Sequence, residues 1–405
     1  ILKVAQGDDK PVDVAGYSIN EGIKLIRGDD KTIVTLTLKR ADGSIHVVKL
    51  QRAELKIEET FARSNILNYK NKKFGIINLP KFYTSFGDPT GRSCSADVSA
   101  ELERLKSNNV DGVIMDLRSN GGGSLQEVID MVGLFIPEGP VVQVKGKTGR
   151  PGVYFDRDSK TVYDGPLMVM VNEFSASASE IFAAAIQDYK RGMIVGSGTY
   201  GKGTVQRPYN LNKDITGTID LGTAHITMQK YYRINGASVQ LKGVQPDVRL
   251  NGYYESNKVK EKDEPTALPW DELGKLQFNY WNNPIDVPMM QKYLTEKIDT
   301  AQSFARFDEN AKWLASLNEQ PKSLSEELYK AELKNIRDKT SFNRKVMRLE
   351  NDLDVYGIFD GDQNDKIKID RNNRVTTFYK RDHYLEMTAD MMHKWITSRP
   401  LTTSN

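Results

Sequence analysis

The chain has 405 residues, of which 39 % are hydrophobic and 27 % charged, and its formal net charge is +3. This composition is typical of a globular protein with two or three domains. The small net charge, without a dense basic stripe, argues against a nucleic-acid binder that works by neutralising phosphates. The longest apolar runs, such as residues 166–171, are too short to cross a bilayer.

Residues 1–57 are predicted to form strand, helix, strand and strand. Isoleucines spaced four and three apart over residues 19–26 make a one-sided helical stripe, which Gly28 closes. Residues 34–38 alternate as in a half-buried strand, and residues 40–44 supply a hairpin turn. The pattern resembles the C-terminal part of a PDZ domain. Because the chain begins in strand-like sequence without a targeting segment, we expect its natural start to lie upstream.

Residues 58–250 alternate between predicted strands and helices. Strands are expected over 74–79, 112–117, 140–144 and 167–171, and helices over 96–105 and 125–134. This alternation predicts an α/β core, a mixed sheet with helices and parallel pairing. In such folds, functional sites lie in the glycine-rich connections at strand ends.

The composition changes after about residue 250. Residues 257–264 are charged and are expected to form a solvated linker, and helices are predicted over 288–304 and 323–348. Residues 251–405 are therefore interpreted as a mainly helical C-terminal domain without a catalytic constellation.

A run of three glycines ends the sequence Asp-Leu-Arg-Ser-Asn-Gly-Gly-Gly over residues 116–123, at the end of a predicted strand. Such a run leaves backbone N–H groups unobstructed, as binding of an oxyanion requires. A plain turn between strand and helix explains the same residues. Because a serine cluster lies further along the chain, we favour oxyanion binding as the role of this glycine run.

Three alternating serines, Ser175, Ser177 and Ser179, lie where an apolar strand passes into a predicted helix. A serine at a helix start is most often an N-cap. The same position also offers free N–H groups that can stabilise an oxyanion. From the residues alone, Ser175 and Ser177 are equal candidates for a nucleophile.

Lys202, flanked by Gly201 and Gly203, is the candidate base for such a serine. A serine hydroxyl is a poor nucleophile unless a neighbour takes its proton. A lysine does so only when neutral, which requires burial or nearby cations to lower a lysine pKa from ~10.4 towards ~7–8. Small neighbours allow other residues to close over the side chain.

Two other patterns in the sequence compete with this interpretation. Residues 196–202 match the first part of a phosphate-binding loop, but a glycine follows the lysine and residues 204–208 cannot begin a helix. Residues 360–364 resemble the start of a calcium loop whose sixth and twelfth positions are wrong. The four histidines show no metal-ligand spacing. We therefore expect no metal and no organic cofactor.

Four motifs, in order, resemble the C-terminal processing peptidases, and most closely the tail-specific proteases of the bacterial periplasm. They occupy residues 116–123, 174–180, 201–206 and 242–247. Residues 267–271 and the helical C-terminal region resemble that subgroup as well. The resemblance extends from the partial PDZ domain through the core.

The resemblance implies a serine endopeptidase with a Ser/Lys dyad. By it, Ser177 is the nucleophile, Lys202 the general base and Gln206 the residue that orients the lysine. The oxyanion donors are then the Ala178 N–H and a glycine N–H of the pair formed by Gly122 and Gly123.

Asp188 is a third active-site residue by the same resemblance, but helix geometry argues for another role. If residues 177–188 form one helix, the eleven-residue separation corresponds to a rise of ~16 Å, so Asp188 cannot touch the serine hydroxyl. A carboxylate touching the lysine would also raise a lysine pKa, the wrong direction for a base. We expect a structural role or a link to the lysine loop.

The expected function is degradation or processing of proteins recognised through apolar C-terminal tails, in the periplasm, with the peptide extended along a strand edge. The alternative is a catalytically weak or inactive peptide-binding PDZ-peptidase fragment. Expected partners are protein or peptide substrates with apolar C-termini. A lipoprotein adaptor is a further possible partner, and the protein could associate peripherally with a membrane. Nucleic acid is not expected as a partner.

Overall fold

A computed structural model describes the chain over 1–40, 42–53, 61–85, 91–212, 221–300, 302–358 and 366–398. The chain divides into two units, Ile1–Glu58 and Glu59–Asn405. All four sequence motifs lie in the second unit. The segment that resembles the start of a calcium loop lies outside the described residues.

The first unit is a four-stranded antiparallel sheet with one helix. Its elements are β1 (Lys3–Gln6), β2 (Val12–Asp13), α1 (Ile19–Ile26), β3 (Ile33–Lys39) and β4 (Ile45–Gln51), and the strand order is β2-β1-β3-β4. Ser18 caps α1, and the Glu21 carboxylate accepts the Ser18 N–H at 2.8 Å. Among the described residues, a small core cluster of Val4, Val34 and Leu36 holds the unit together. Its interpretation as part of a PDZ domain stays a prediction.

The second unit begins with alternating strands and helices. They are β5 (Arg63–Tyr69), β6 (Lys72–Asn78), α2 (Cys94–Ser107), β7 (Gly112–Asp116), α3 (Leu125–Gly133), β8 (Gly139–Gly146), β9 (Gly152–Asp156), β10 (Leu167–Val171), α4 (Ala178–Asp188), β11 (Met193–Gly196), β12 (Thr204–Asn210), β13 (Thr223–Tyr232) and β14 (Val248–Arg249). The C-terminal region adds α5 (Val287–Thr300), α6 (Gln302–Glu319), α7 (Glu326–Val346), β15 (Asp354–Gly357), α8 (Lys366–Lys380) and α9 (His383–Ser398).

A seven-stranded mixed sheet organises this unit, in the order β14-β11-β10-β7-β6-β5-β15. The strands from β14 to β6 run parallel, and β5 and β15 join antiparallel at one edge. The predicted α/β core with a mixed sheet and helices is confirmed. The loops that follow β7, β10 and β11 all leave the carboxyl edge of the parallel strands, where sites in such sheets lie.

Each face of this sheet is buried under a different set of helices. In β10, Leu167, Val169 and Val171 belong to a core shared with α2, α3 and α4, whereas Met168 and Met170 belong to a core shared with α5 and α9. The alternation follows from the two-residue repeat of a strand. The residues after 250 therefore bury the second face of the sheet and extend its edge with β15. The domain limits expected at 57 and 250 stay predictions.

The charged segment over 257–264 differs from its prediction as a solvated linker. Lys260 is half-buried, and its Nζ donates to the Gly198 carbonyl at 2.7 Å. The carboxylate of Glu261 accepts the Gln240 side-chain amide at 2.9 Å. The prediction was wrong for these two residues, because Lys260 has a partner on the loop that precedes Lys202 and Glu261 has one at Gln240, and a lysine stem buries well while its charged end is satisfied. Lys258, Lys262, Asp263 and Glu264 are exposed, as predicted.

A second, antiparallel sheet has the order β12-β13-β8-β9, so β12 is an edge strand. It begins two residues after Lys202. A phosphate-binding loop would need a helix there, because the helix N-terminus binds the phosphate. The strand thus confirms that residues 196–202 are not such a loop.

Candidate active site

Ser177 occupies a strained turn between β10 and α4. Its φ of 56° and ψ of −113° lie in a region that L-residues with side chains rarely adopt. It stands at the N-cap position of α4, yet its hydroxyl makes no cap hydrogen bond. Instead, the Glu180 carboxylate accepts the Ser177 N–H at 2.9 Å. Because it makes no cap bond, the hydroxyl is available for another partner.

The two neighbouring serines have structural partners. The Ser175 hydroxyl donates to the Leu117 carbonyl at 2.8 Å, and the Ser179 hydroxyl donates to the Asn120 carbonyl at 2.8 Å. Both serines are fully buried, whereas Ser177 is only partly buried. Of the three serines, Ser177 therefore carries the hydroxyl that no backbone carbonyl has engaged.

The glycine run after β7 lies directly against Ser177. A Cβ on Gly122 (φ 101°) would lie 2.7 Å from Ser177 Cβ and 3.0 Å from the Ala178 nitrogen. The Gly122 N–H is already used, since it donates to Asn120 Oδ1 at 2.9 Å. Among the described residues, the N–H groups of Gly123 and Ala178 donate to no acceptor. The two glycines of the predicted pair thus differ in role. Gly123, like Ala178, has a free N–H donor, whereas Gly122 allows the glycine run to pack closely against Ser177.

Lys202 is half-buried, and its Nζ donates to Gln206 Oε1 at 3.5 Å. The structure thus brings Gln206 to the lysine, at the long limit of a hydrogen bond. In the described part of the chain, no hydrogen bond joins Lys202 Nζ to the Ser177 hydroxyl. Catalytic hydrogen bonds are often long without substrate and shorten when it binds.

The glycines beside Lys202 are required by the backbone that packs on them. A Cβ on Gly203 would lie 2.8 Å from the Gln240 nitrogen, and one on Gly201 (φ 96°) would lie 3.0 Å from the Leu241 carbonyl carbon. The Leu241 N–H also donates to the Gly201 carbonyl at 2.9 Å. The segment just before the motif at residues 242–247 therefore holds the lysine loop in place.

Glu180 joins the serine turn to the lysine loop. Its fully buried carboxylate accepts four hydrogen bonds, from Ser177 N–H (2.9 Å), Thr199 Oγ1 (2.6 Å), Gly201 N–H (2.7 Å) and Lys202 N–H (2.9 Å). Burial raises the pKa of the carboxyl to about 7, and these hydrogen bonds oppose the shift. Sequence reasoning assigned no role to Glu180. The signal that was available is the serine–x–x–glutamate spacing of a capping box.

Tyr231 in β13 makes a second bridge between the two loops. Its buried hydroxyl donates to the Lys202 carbonyl at 2.6 Å and lies 3.1 Å from the Ser177 carbonyl. The tyrosine stands in an ordinary strand pattern, so no feature of the sequence marks it.

Asp188 lies at the far end of α4 and contacts neither Ser177 nor Lys202 by a hydrogen bond among the described residues. It pairs with the Arg233 guanidinium at 2.5 and 3.1 Å and accepts the Asn235 side-chain amide at 2.8 Å. Burial raises the pKa of the Asp188 carboxyl, and the arginine opposes this. Arg233 directly follows β13, so the ion pair fixes the end of the strand that carries Tyr231.

The described residues contain no group of three or more His, Cys, Asp or Glu side chains arranged to hold a metal ion. Nor does any helix in the described ranges combine the length and apolar character that crossing a membrane requires.

Comparisons with known proteins match two parts of the chain. Residues 73–250 match Peptidase family S41, and residues 254–397 match the C-terminal domain of tail specific protease (DUF3340). The tail-specific protease of Haemophilus influenzae is 36 % identical over 363 residues, 87 % of this chain and 48 % of that protein. A probable CtpA-like serine protease of Staphylococcus aureus (strain N315) is 32 % identical over 242 residues, 59 % of this chain and 44 % of that protein.

The chain thus spans about half the length of these two relatives. Among solved structures, the photosystem II D1 C-terminal processing protease is 25 % identical, with a TM-score of 0.42 over 62 % of each chain.

The buried carboxyl of Glu180 predicts a pH-dependent stability. The carboxyl has its ordinary pKa of 4.5 in the unfolded chain and a pKa of about 7 in the folded protein. Between these pH values the folded chain therefore binds more protons than the unfolded chain. The stability that this group contributes is full below pH 4.5 and is lost as pH rises through 7. From pH 5 to pH 8 we expect the loss to be about 2–3 kcal/mol.

Urea unfolding of the wild type and of Glu180→Gln at both pH values measures this. The free energy of unfolding should fall by that much more in the wild type than in the variant. Glu138→Gln, at an exposed glutamate, should leave the pH dependence unchanged. Equal pH dependence in the wild type and Glu180→Gln would contradict the raised pKa.

Proposed function

The chain belongs to peptidase family S41 and carries the C-terminal domain of tail-specific proteases, and from this premise we propose that it is a serine endopeptidase with a Ser177–Lys202 dyad. The observation that supports this most is the free Ser177 hydroxyl on a strained turn, beside the two free N–H donors of Gly123 and Ala178. The Glu180 carboxylate ties that turn to the backbone of Lys202.

Acyl transfer follows from these groups. Neutral Lys202 takes the proton of Ser177 as Oγ attacks the scissile carbonyl carbon. The carbonyl oxygen becomes an oxyanion, which the Gly123 and Ala178 N–H groups stabilise together with the start of α4. Collapse breaks the C–N bond, and the protonated lysine gives its proton to the leaving amine. Water then attacks the acyl-enzyme with the lysine again as base, which releases the acid product and restores Ser177.

Two further residues act through this pair. Gln206 orients the lysine ammonium through its side-chain oxygen. Asp188 acts at a distance, because its pairing with Arg233 fixes the end of β13 and so the position of the Tyr231 hydroxyl between the two loops. Its part is positioning, not proton transfer.

Substrates are proposed to be proteins with apolar C-terminal tails, bound as an extended strand. The edge strand β12 supports this, because it begins two residues after Lys202 and offers unpaired backbone groups for β-pairing. Residues 1–57 would be the C-terminal part of a PDZ domain that captures the tail. The alternative of an inactive peptide-binding fragment is not favoured, since Ser177, Lys202 and both oxyanion donors are present.

The location proposed is the bacterial periplasm, as for the tail-specific proteases that the chain resembles. A lipoprotein adaptor and peripheral attachment to a membrane belong to the same proposal. Each is proposed for the whole protein, since the chain spans about half the length of the relatives it matches.

Alanine variants of the dyad test the proposed chemistry. Ser177→Ala and Lys202→Ala should each lower kcat/KM on a peptide with an apolar C-terminus by at least about 10³-fold, because each removes a group that takes part in bond making. The matched controls are Ser107→Ala and Lys147→Ala, which change an exposed serine and an exposed lysine outside the four motifs. Both should keep kcat/KM within about twofold of the wild type. Cleavage by both dyad variants at the wild-type rate would refute the proposal.

The glycine run offers a second test of the oxyanion site. Gly122→Ala should lower kcat by about 10²-fold or more, since the new Cβ would meet Ser177 Cβ and the Ala178 nitrogen and displace one donor. The adjacent Gly121→Ala adds its methyl group to open space and should leave kcat within about twofold. Similar kcat values for the two variants would show that this loop does not bind the oxyanion.

A further inference from the structure

We propose that the C-terminal helical region positions the oxyanion-binding loop, through Asp382 and Tyr379, which hold Arg118 and Asp116 at the start of that loop. The inference rests on the proposed peptidase function and adds to it a task for the region that matches the tail-specific protease C-terminal domain. Asp382 and Tyr379 are positioning residues, because neither reaches the reacting atoms.

A buried network of charged and polar groups carries the proposal. Arg118 donates to both oxygens of Asp116 at 2.9 and 2.8 Å, and to Asp382 Oδ2 at 2.6 Å. The Tyr379 hydroxyl donates to Asp116 Oδ2 at 2.9 Å. The side chains of Arg118, Asp116 and Asp382 are 13 %, 3 % and 6 % exposed, so water replaces these partners poorly. Tyr379 lies in α8 and Asp382 directly precedes α9, whereas Asp116 ends β7 and Arg118 follows it.

Asp382 also fixes the helix from which it acts. Its Oδ1 accepts the N–H groups of Tyr384 and Leu385 at 2.9 and 3.2 Å, as an N-cap of α9 does, while Oδ2 binds Arg118. One carboxylate therefore joins the start of α9 to the loop after β7. A shift of α9 would move Asp382 Oδ1, and with it Oδ2 and the Arg118 guanidinium that Oδ2 binds.

The residues after Arg118 transmit its position to the oxyanion donors. Ser119 has a φ of 60°, and the fully buried Asn120 follows it. The Asn120 carbonyl accepts the Ala176 N–H at 3.0 Å, and its side-chain oxygen accepts the Gly122 N–H at 2.9 Å. Displacement of Arg118 thus reaches both the glycine run and the turn that precedes the serine.

A separate contact links the same region to the lysine loop. Lys260 Nζ donates to the Gly198 carbonyl at 2.7 Å, and the Glu261 N–H donates to the Tyr200 carbonyl at 3.2 Å. Residues after 250 therefore hold both loops that supply the proposed chemistry.

Isosteric variants separate this role from folding. Asp382→Asn keeps an oxygen that caps α9 but loses the charge that binds Arg118, and Tyr379→Phe removes only the hydroxyl. The matched control is Asp352→Asn, which breaks the exposed Asp352–Arg381 ion pair of the same region, with side chains 49 % and 52 % exposed. Ser177→Ala, measured beside the wild type, reports separately whether the proposed peptidase activity exists.

We expect kcat to fall about tenfold or more in Asp382→Asn and several-fold in Tyr379→Phe, with KM within about twofold, because misplaced donors weaken transition-state binding only. Amide hydrogen exchange over residues 117–124 should become faster in both variants and remain unchanged in Asp352→Asn. This second readout does not require cleavage, so it decides the proposal even for a chain that fails to cleave peptides.

The proposal is overturned by unchanged exchange over residues 117–124 in both variants. In an active chain, it is also overturned by kcat within twofold of the wild type in both, or by an equal fall in Asp352→Asn. A fall in kcat that only matches the fraction of unfolded protein, measured by circular dichroism, would assign Asp382 to stability and refute positioning.

Discussion

The proposed site depends on one buried carboxylate. Glu180 stands in the first turn of α4, where helix N–H groups favour a negative charge, and four donors converge on it. A buried charge is costly unless it is hydrogen-bonded, so the serine turn and the lysine loop cannot separate without leaving that carboxylate unsatisfied. The backbone of Ser177 accounts for its free hydroxyl at a helix start, because its φ of 56° and ψ of −113° depart from the extended backbone of an ordinary N-cap.

The sheet brings the three loops together and the second layer of helices keeps them there. Parallel strands β7, β10 and β11 end at one edge, so the glycine run, the serine turn and the lysine loop meet although they are far apart in the chain. The helices after residue 250 cover the opposite face of the sheet. Residues after 250 also contact two of these loops, through Asp382 at the start of α9 and through Lys260, which precedes the helices. The region after residue 250 therefore both completes the core and contacts two loops of the proposed site.

Sequence periodicity predicted the elements that form the core well, since β10 and α2 have strong and regular apolar patterns. It also placed Gly122, Ser177 and Lys202 in connections at strand ends, where parallel strands converge. It left Ser175 and Ser177 undecided, because the difference between them depends on the Leu117 carbonyl, an acceptor that directly follows β7.

Long-range pairings account for what sequence reasoning missed. Arg118 and Asp382 are 264 positions apart, and no local pattern in either stretch points to the other. The same holds for Tyr231, whose partners belong to two loops that precede it in the chain. The charged segment around Lys260 has the composition of a linker, and only the carbonyl that it meets gives it a place in the structure.

Covalent labelling with a fluorophosphonate, followed by peptide mapping, tests the central claim most directly. The account predicts one adduct per chain, on Ser177, with none on Ser175 or Ser179, and it predicts that Lys202→Ala slows the labelling by at least about 10²-fold, since the base that activates the hydroxyl is gone. An adduct on a different residue, or labelling of Lys202→Ala at the wild-type rate, would contradict a nucleophile activated by this lysine.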